Sequence, residues 1–369
     1  MSNNESTDFI MSKNESAALL SDISQTEEAG KMMTRYITGI AYAFFNLFGL
    51  FGNGTVLVTL MKEWKKFSSF YVLVLALTFC DFVFVCVNLL VQAPSGSAQA
   101  PAAGSAQAPA AGSAQAPAAV QTPETLFGVF YPLNVRLAIS SINTFAFIGF
   151  FISSLLIALD RFSVFLIPWL YEKWFNRPNI YIVGSVPIVI GILWTVGVTL
   201  VDCPKLFMAE RYHWYYACDK NASHPYGGYW MMAQGYIVQA LPILMMIGYV
   251  IVYACLKYES SKNLAAQPGS EAAEERKRVE RSLLLQGLII GTFLFLQTTS
   301  FWLLQKGLVK NYWVRLSIQC LHIINSSINP VVYMVFNNLL RTEMCRTMTC
   351  GQYVPGGATN IQTNSGTVQ

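Results

Sequence analysis

The sequence predicts an all-α membrane protein: a seven-transmembrane helix bundle with its N-terminus outside and its C-terminus cytosolic. Three observations carry that expectation. Of 369 residues, 54% are hydrophobic and only 12% charged, about half the charge of an ordinary soluble domain. Seven apolar runs of about 20 residues punctuate the chain, each long enough to cross a hydrocarbon core of about 30 Å as a helix. The runs also lack the polar faces that helices of a soluble all-α protein present to water. In lipid an isolated segment must satisfy its own backbone, so each run reads as a helix.

In chain order, residues 1–35 are polar and lack the basic start and short apolar core of a cleavable signal peptide. They read as an extracellular tail, and the first apolar run as the targeting signal. The spans fall near Tyr36–Leu60, Phe70–Val91, Leu137–Phe165, Ile180–Val201, Tyr229–Leu256, Ser282–Leu304 and Val314–Phe336. Together they place the helical domain at residues 36–340, with a cytosolic tail at 341–369. Between spans two and three, Ser97–Val120 reads SAQAPAAG, SAQAPAAG, SAQAPAAV. Such a tract of Ala, Pro, Gly and Ser buries too little surface to offset its ordering entropy. It is expected to be a disordered outer-loop insertion over 94–122, tolerated because lengthening a loop costs little.

Orientation follows from charge and from sequons. More than half of the 24 Lys and Arg residues fall on the segments assigned inside. The acceptor sites Asn4, Asn14 and Asn221 all fall on the side assigned outside, where glycosylation occurs. The net charge of +4 is mild, and no basic tract is large enough to neutralise many phosphates, so nucleic acid is not an expected partner. The lipid bilayer is.

Polar groups at membrane depth are costly and therefore candidates for function. Span one has Asn53, span two has Asp81, and span seven has Asn325, Ser326, Ser327 and Asn329 before Pro330. Asp81 needs partners, and Asn53 and Asn329 supply them if the three helices pack together. Two readings stand side by side: a hydrogen-bonded packing cluster, or a switch core in which water or a sodium ion near Asp81 links spans that move. Span three ends in Asp160, Arg161 and Phe162, a charge pair at the inner surface, readable also as an interfacial Arg that snorkels. Span seven ends in "NPVVY", where Pro330 removes a backbone donor and kinks the helix ahead of Tyr333. The following "FNNLLRTEMC" mixes apolar and basic residues and suits a helix lying on the inner membrane surface.

These residues together resemble the rhodopsin-like G-protein-coupled receptors. The match comprises Gly52-Asn53, "LTFCD" from Leu77 to Asp81, "DRF" from Asp160, Pro242 in span five and "NPVVY" from Asn329. The stretch "LDRFSVFLIPWLYEKWF" and the "LLLQ" opening span six look more like the nematode serpentine chemoreceptors of the Srx class. The resemblance implies a receptor for a small molecule that activates a heterotrimeric G-protein at the plasma membrane, including that of sensory cilia. It assigns Asp160, Arg161, Phe162, Asn329, Pro330 and Tyr333 to coupling and switching, and Asn53, Asp81 and Asn329 to the polar core. The segment "EAAEERKRVERS" would extend span six into the cytosol.

The sequence also departs from the family pattern. Span six has no proline, so its pivot is expected elsewhere, at Gly287 or Gly291. No cysteine lies between Cys86 and Cys203, and Arg136 stands where the bridging cysteine of span three is expected. The second outer loop holds Cys203 and Cys218, which are expected to pair within that loop. Cys345 and Cys350 follow the last helix and are lipidation candidates.

Two ligand types are set aside by the same comparison. The Schiff-base lysine of an opsin would stand at Ile323, and the amine-binding Asp at Asn143. With no buried charge to pair an amine or acid, a neutral or weakly polar ligand is expected, with Asn143, Phe147, Gln234, Gln239 and Gln319 as pocket candidates. Each is readable equally as a packing residue. A neuropeptide-type or orphan receptor is the nearest alternative. A transporter is the rival from another class, but internal repeats and several intramembrane charges are its marks. The three histidines lack metal-ligand spacing, and no phosphate loop or nucleophile motif suggests an enzyme.

Overall fold

A computed structural model describes residues 13–64, 68–92, 133–201, 203–208, 213–216, 218, 226–264, 271–305, 308–309 and 311–349. The octapeptide repeat, the sequons at Asn4, Asn14 and Asn221, and Cys350 lie outside the described residues. In chain order the elements are α1 (Lys13–Lys62), α2 (Phe70–Gln92), α3 (Leu133–Leu166), the single turn α4 (Pro168–Leu170) running into a π-helical stretch Tyr171–Phe175, and α5 (Ile180–Leu200). Two short strands follow, β1 (Lys205–Met208) and β2 (His213–Tyr216). The chain continues through α6 (Tyr226–Leu264), α7 (Glu271–Gln305), α8 (Tyr312–Phe336) and α9 (Asn338–Met348).

Six stretches among the described residues are long and apolar enough to cross a membrane: Ile37–Lys62, Phe70–Val91, Asn134–Leu166, Ile180–Leu200, Met232–Tyr258 and Leu284–Leu304. The bundle's surface is apolar and much of its interior polar, the distribution expected of a lipid-bathed protein. Phe44 and Phe51 on α1, Leu193 on α5 and Leu244 on α6 are exposed, while Asn53, Asp81, Asn143, Gln297 and Asn329 are buried. α8, which holds the seventh expected span, is less apolar than these six because its inward face is polar: Gln319, His322, Asn325, Ser326 and Asn329 are all buried. Its burial replaces lipid with protein partners.

Packing follows the chain order. α2 lies between α1 and α3, α5 covers α3, and α6, α7 and α8 close the ring back onto α1. The main apolar cluster joins Leu73 and Leu77 of α2, Phe150 and Phe151 of α3, Leu294 of α7 and Tyr333 of α8. The expected spans sit inside the observed helices, except that the fourth passes the end of α5 at Val201, and three helices run further, α6 as far as Leu264. α1 begins at Lys13, within the expected tail, where Ala, Leu, Glu and Met favour helix. α7 begins at Glu271, so the charged segment does extend the sixth span. The expected boundary at 340 falls inside α9. Asn337 starts that helix: its Oδ1 accepts from the Leu340 N–H at 3.0 Å, and its amide and the Tyr71 hydroxyl on α2 bond each other at 2.9 and 3.1 Å.

The α6–α7 contact depends on a glycine. A Cβ at Gly287 would lie 2.5 Å from ring carbons of Tyr249, a buried residue of α6, whereas at Gly291 the nearest atom is the Met246 sulfur at 3.4 Å. An alanine in a helix gains about 0.5–1 kcal/mol over glycine, but overpacking costs about 1–3 kcal/mol. Gly287→Ala is therefore expected to lower the melting temperature of the purified protein, while Gly291→Ala holds or raises it. Equal melting of the two variants would place Tyr249 off the Gly287 face.

Candidate functional site

The first candidate site is built by the β1–β2 hairpin. The strands pair antiparallel with Lys205 opposite Tyr216 and Phe207 opposite Trp214. Side chains alternate along a strand and paired residues share a face. Lys205, Trp214 and Tyr216 therefore project from one side, and that side faces the bundle. The expected Cys203–Cys218 disulfide closes the hairpin at its base. Three helices anchor it: Trp214 Nε1 donates to Asn88 Oδ1 of α2 at 3.1 Å, Ser140 Oγ of α3 donates to the Lys205 carbonyl, and Gln234 Nε2 of α6 donates to the Tyr216 hydroxyl at 2.6 Å.

Lys205 is 2% exposed. Its Nζ donates to Asn143 Oδ1 of α3 at 2.8 Å and lies 4.7 Å from the Phe147 ring centroid and 5.6 Å from that of Trp214. Amide and rings stabilise the ammonium in part, yet burial still pulls its pKa down to about 7. Burial likewise pushes the Tyr216 phenol up to about 12, despite the Gln234 bond. Among the described residues no carboxylate pairs with Lys205.

Beside Lys205 lies a cavity lined by residues of the hairpin, α3, α6, α7 and α8, including Phe147, Tyr216, Gln234, Gln239, Phe301 and His322. The cavity is small and opens to solvent on one side. The His322 ring stacks on Phe84 at 5.0 Å and Phe147 at 5.9 Å, with neither ring nitrogen hydrogen-bonded. Asn143 Nδ2 and Gln234 Oε1 are also buried without partners.

Three of the five pocket candidates, Phe147, Gln234 and Gln239, line this cavity. Asn143 stands one hydrogen bond behind it, through Lys205. Gln319 is buried on α8 but does not line it. Gln239 also binds α6 to α7, donating to the Thr298 carbonyl at 2.6 Å. Lys205, Tyr216 and His322 were missed. The premise that no charge is buried near the pocket is corrected: the hairpin inserts a cation from outside the spans. Two short aromatic and apolar runs, "KLFM" and "HWYY", lying between two cysteines were the available signal.

The second site lies deeper, around α8. Asn329 Nδ2 donates to Asp81 Oδ2 at 2.6 Å, and Asn53 Nδ2 donates to the Ser326 carbonyl at 2.9 Å. Asn325 Nδ2 donates to Gln297 Oε1 of α7. Of the two expected partners of Asp81, Asn329 bonds it, whereas Asn53 bonds the α8 backbone instead; Asp81 Oδ1, Asn53 Oδ1 and Asn329 Oδ1 are left unpaired. The unpaired carboxylate oxygen of Asp81 suits a hard cation such as sodium, or ordered water. Gly52 lets α1 close on the kink: a Cβ there would stand 3.0 Å from Pro330 Cβ. Tyr333, one turn on, is 1% exposed with its hydroxyl unpaired.

At the α9 end of the bundle, Arg161 Nε lies 3.6 Å from Asp160 Oδ2, and the guanidinium carbon sits 3.7 Å from the Phe70 ring centroid. Phe162 packs on a cluster of Tyr249, Val252 and Leu284 from α6 and α7. The Asp-Arg-Phe triplet thereby touches α2, α6 and α7 at once. Cys345 lies half-buried on α9 as a free thiol.

A family described as "Serpentine type 7TM GPCR chemoreceptor Srx" matches residues 117–337, which hold α3 to α8 and the hairpin. Among solved structures, squid rhodopsin superposes with a TM-score of 0.63 at 14% identity, covering 88% of this chain and 89% of that one. No curated protein matches the sequence.

Proposed function

The chain belongs to the Srx family of serpentine seven-transmembrane G-protein-coupled receptors, and from that premise we propose that it turns the binding of a small chemosensory ligand in the hairpin cavity into G-protein activation. The family and the fold are those of receptors, not enzymes. In this reading the hairpin end faces outward and the α9 end faces the cytosol of a cell whose plasma membrane, that of sensory cilia included, holds the protein. Asn4, Asn14 and Asn221 carry glycans, and Cys345 and Cys350 carry acyl chains that hold the end of the chain to the inner leaflet. A sodium ion or water occupies the oxygens around Asp81.

The observation that carries the reading is one face of α8. His322 lines the cavity, and Asn329, two turns along the same face, bonds Asp81 immediately before the Pro330 kink. A ligand that presses on His322 biases the same helix whose inner half holds Asn329 and Tyr333. Binding then favours the conformation in which α7 and α8 open at the α9 end, which frees Arg161 from Asp160 to meet the G-protein; the effect is a population shift. The ligand is small, with an apolar body against Phe147, Val238 and Phe301.

The test is nucleotide exchange on a panel of G-protein α-subunits, with wild type and Arg161→Ala displayed at equal density. Exchange in the variant is expected to fall about tenfold or more, within the range of allosteric couplings, while ligand binding holds. Undiminished exchange removes Arg161 from the switch. Absent exchange alongside gradient-driven uptake points to a transporter.

A further inference from the structure

We propose that the cavity is an anion site, and that the ligand carries a carboxylate held by Lys205 with Asn143, Tyr216 and His322 around it. The inference rests on the reading of this cavity as the ligand site and adds the charge of what it holds. Lys205 brings a buried ammonium to the wall, and its one hydrogen-bond acceptor is the Asn143 amide at 2.8 Å. An ammonium has three donors. Aromatic faces at 4.7 and 5.6 Å supply attraction without accepting a strong bond.

The neighbouring polar atoms point the same way. Asn143 Nδ2 is a buried donor with no acceptor. The Tyr216 oxygen accepts from Gln234, which leaves its own proton to give. A neutral His322 must carry hydrogen on one of two nitrogens, and neither has a partner. Lys205, Tyr216 and His322 bring donors to the cavity wall, with Asn143 behind Lys205, and Gln234 Oε1 is the one unpaired amide acceptor among the lining residues. A carboxylate is acceptor-only, so it matches this set, whereas an amine or amide would leave donors facing donors. One cation balances one charge, which favours a monocarboxylate over a phosphate dianion.

Energetics supply the second argument. A buried cation without a counter-charge is a cost to the folded protein. Burial draws the Lys205 pKa to about 7, so the empty site gives up part of its charge. A carboxylate restores that charge and offsets the desolvation, and this difference makes the empty and occupied states unequal. The apolar walls Phe147, Val238 and Phe301 then take the rest of the molecule. Such acids come either from water, as short or aromatic acids, or from the bilayer, as long-chain fatty acids.

Binding would be read by thermal unfolding of the protein in nanodiscs, titrated with butanoate, octanoate, phenylacetate and hexadecanoate and with the methyl ester of each. At least one acid is expected to raise the melting temperature while its ester fails. Tightest binding by hexadecanoate identifies the bilayer as source, and by a shorter acid the aqueous phase. Lys205→Gln keeps a donor for Asn143 and is expected to weaken that acid by about 10- to 100-fold, the weight of a charge-assisted hydrogen bond. Asn143→Asp places a carboxylate beside Lys205 within the chain, so it is expected to raise the melting temperature of the empty protein and to displace the acid. An ester that binds as well as its acid overturns the proposal, as does an acid that binds Lys205→Gln undiminished, or the absence of acid binding at every chain length. Acid binding without nucleotide exchange supports the anion site and removes the transducer reading alone.

Discussion

Replacing Cys203 and Cys218 together with serine is expected to reduce ligand binding about 100-fold while the helix bundle stays folded. The two residues are separated by 15 positions, and closing a loop of that size is worth about 3 kcal/mol, a factor of about 100 in an equilibrium constant. The hairpin needs that constraint because its strands are four residues each, and a lone two-stranded hairpin is marginal in water. Its remaining anchors, Trp214 to Asn88, Ser140 to the Lys205 carbonyl and Gln234 to Tyr216, each contribute about 1 kcal/mol. Without the bridge the hairpin samples open states, and Lys205 and Tyr216 leave the cavity with it. The helices pack below it through α2, α3 and α8, which the substitution does not touch. Helical circular dichroism at wild-type strength with weakened binding is the expected pair of results. Binding within threefold of wild type would show that side-chain anchors alone hold the hairpin.

The fold was legible because lipid reverses the usual sorting of residues. Exposed Leu193 and Leu244 make the spans apolar on their outer faces, and length alone then sets the ends of α2, α3, α5 and α8 near the observed ones. The deep core was legible for the complementary reason: Asp81 and Asn329 are too costly in hydrocarbon to be idle, and they bond each other. Lys205 was not legible, because a lysine two residues after a cysteine in an outer loop reads as solvated until the strand register turns it inward. His322 was passed over for lack of metal-ligand spacing, a criterion blind to an aromatic stack on Phe84 and Phe147. Both belong to the cavity, where function depends on how an irregular segment folds onto the bundle. Neither periodicity nor composition reports on that contact.

Asp81→Asn is expected to suppress ligand-stimulated exchange about tenfold or more while leaving surface display and melting close to wild type. The substitution keeps an acceptor for Asn329 Nδ2, which bonds Asp81 Oδ2 at 2.6 Å, so the packing role survives. What it removes is the charge that draws a cation or water to the unpaired oxygens of Asp81, Asn53 and Asn329. Asp81→Leu is expected to lower melting as well, because it leaves the buried Asn329 amide without an acceptor, at about 1–3 kcal/mol. The exchanged pair, Asp81→Asn with Asn329→Asp, separates packing from switching. It retains one carboxylate and one amide at the same contact, and a double-mutant cycle then reads their coupling directly. Restored exchange in the exchanged pair means that α8 is biased by a charge located between α2 and α8, whichever helix carries it. Normal melting with exchange still suppressed means that the carboxylate must sit on α2, where the Asn53 oxygen of α1 can share its cation and the Pro330 kink stays free to move.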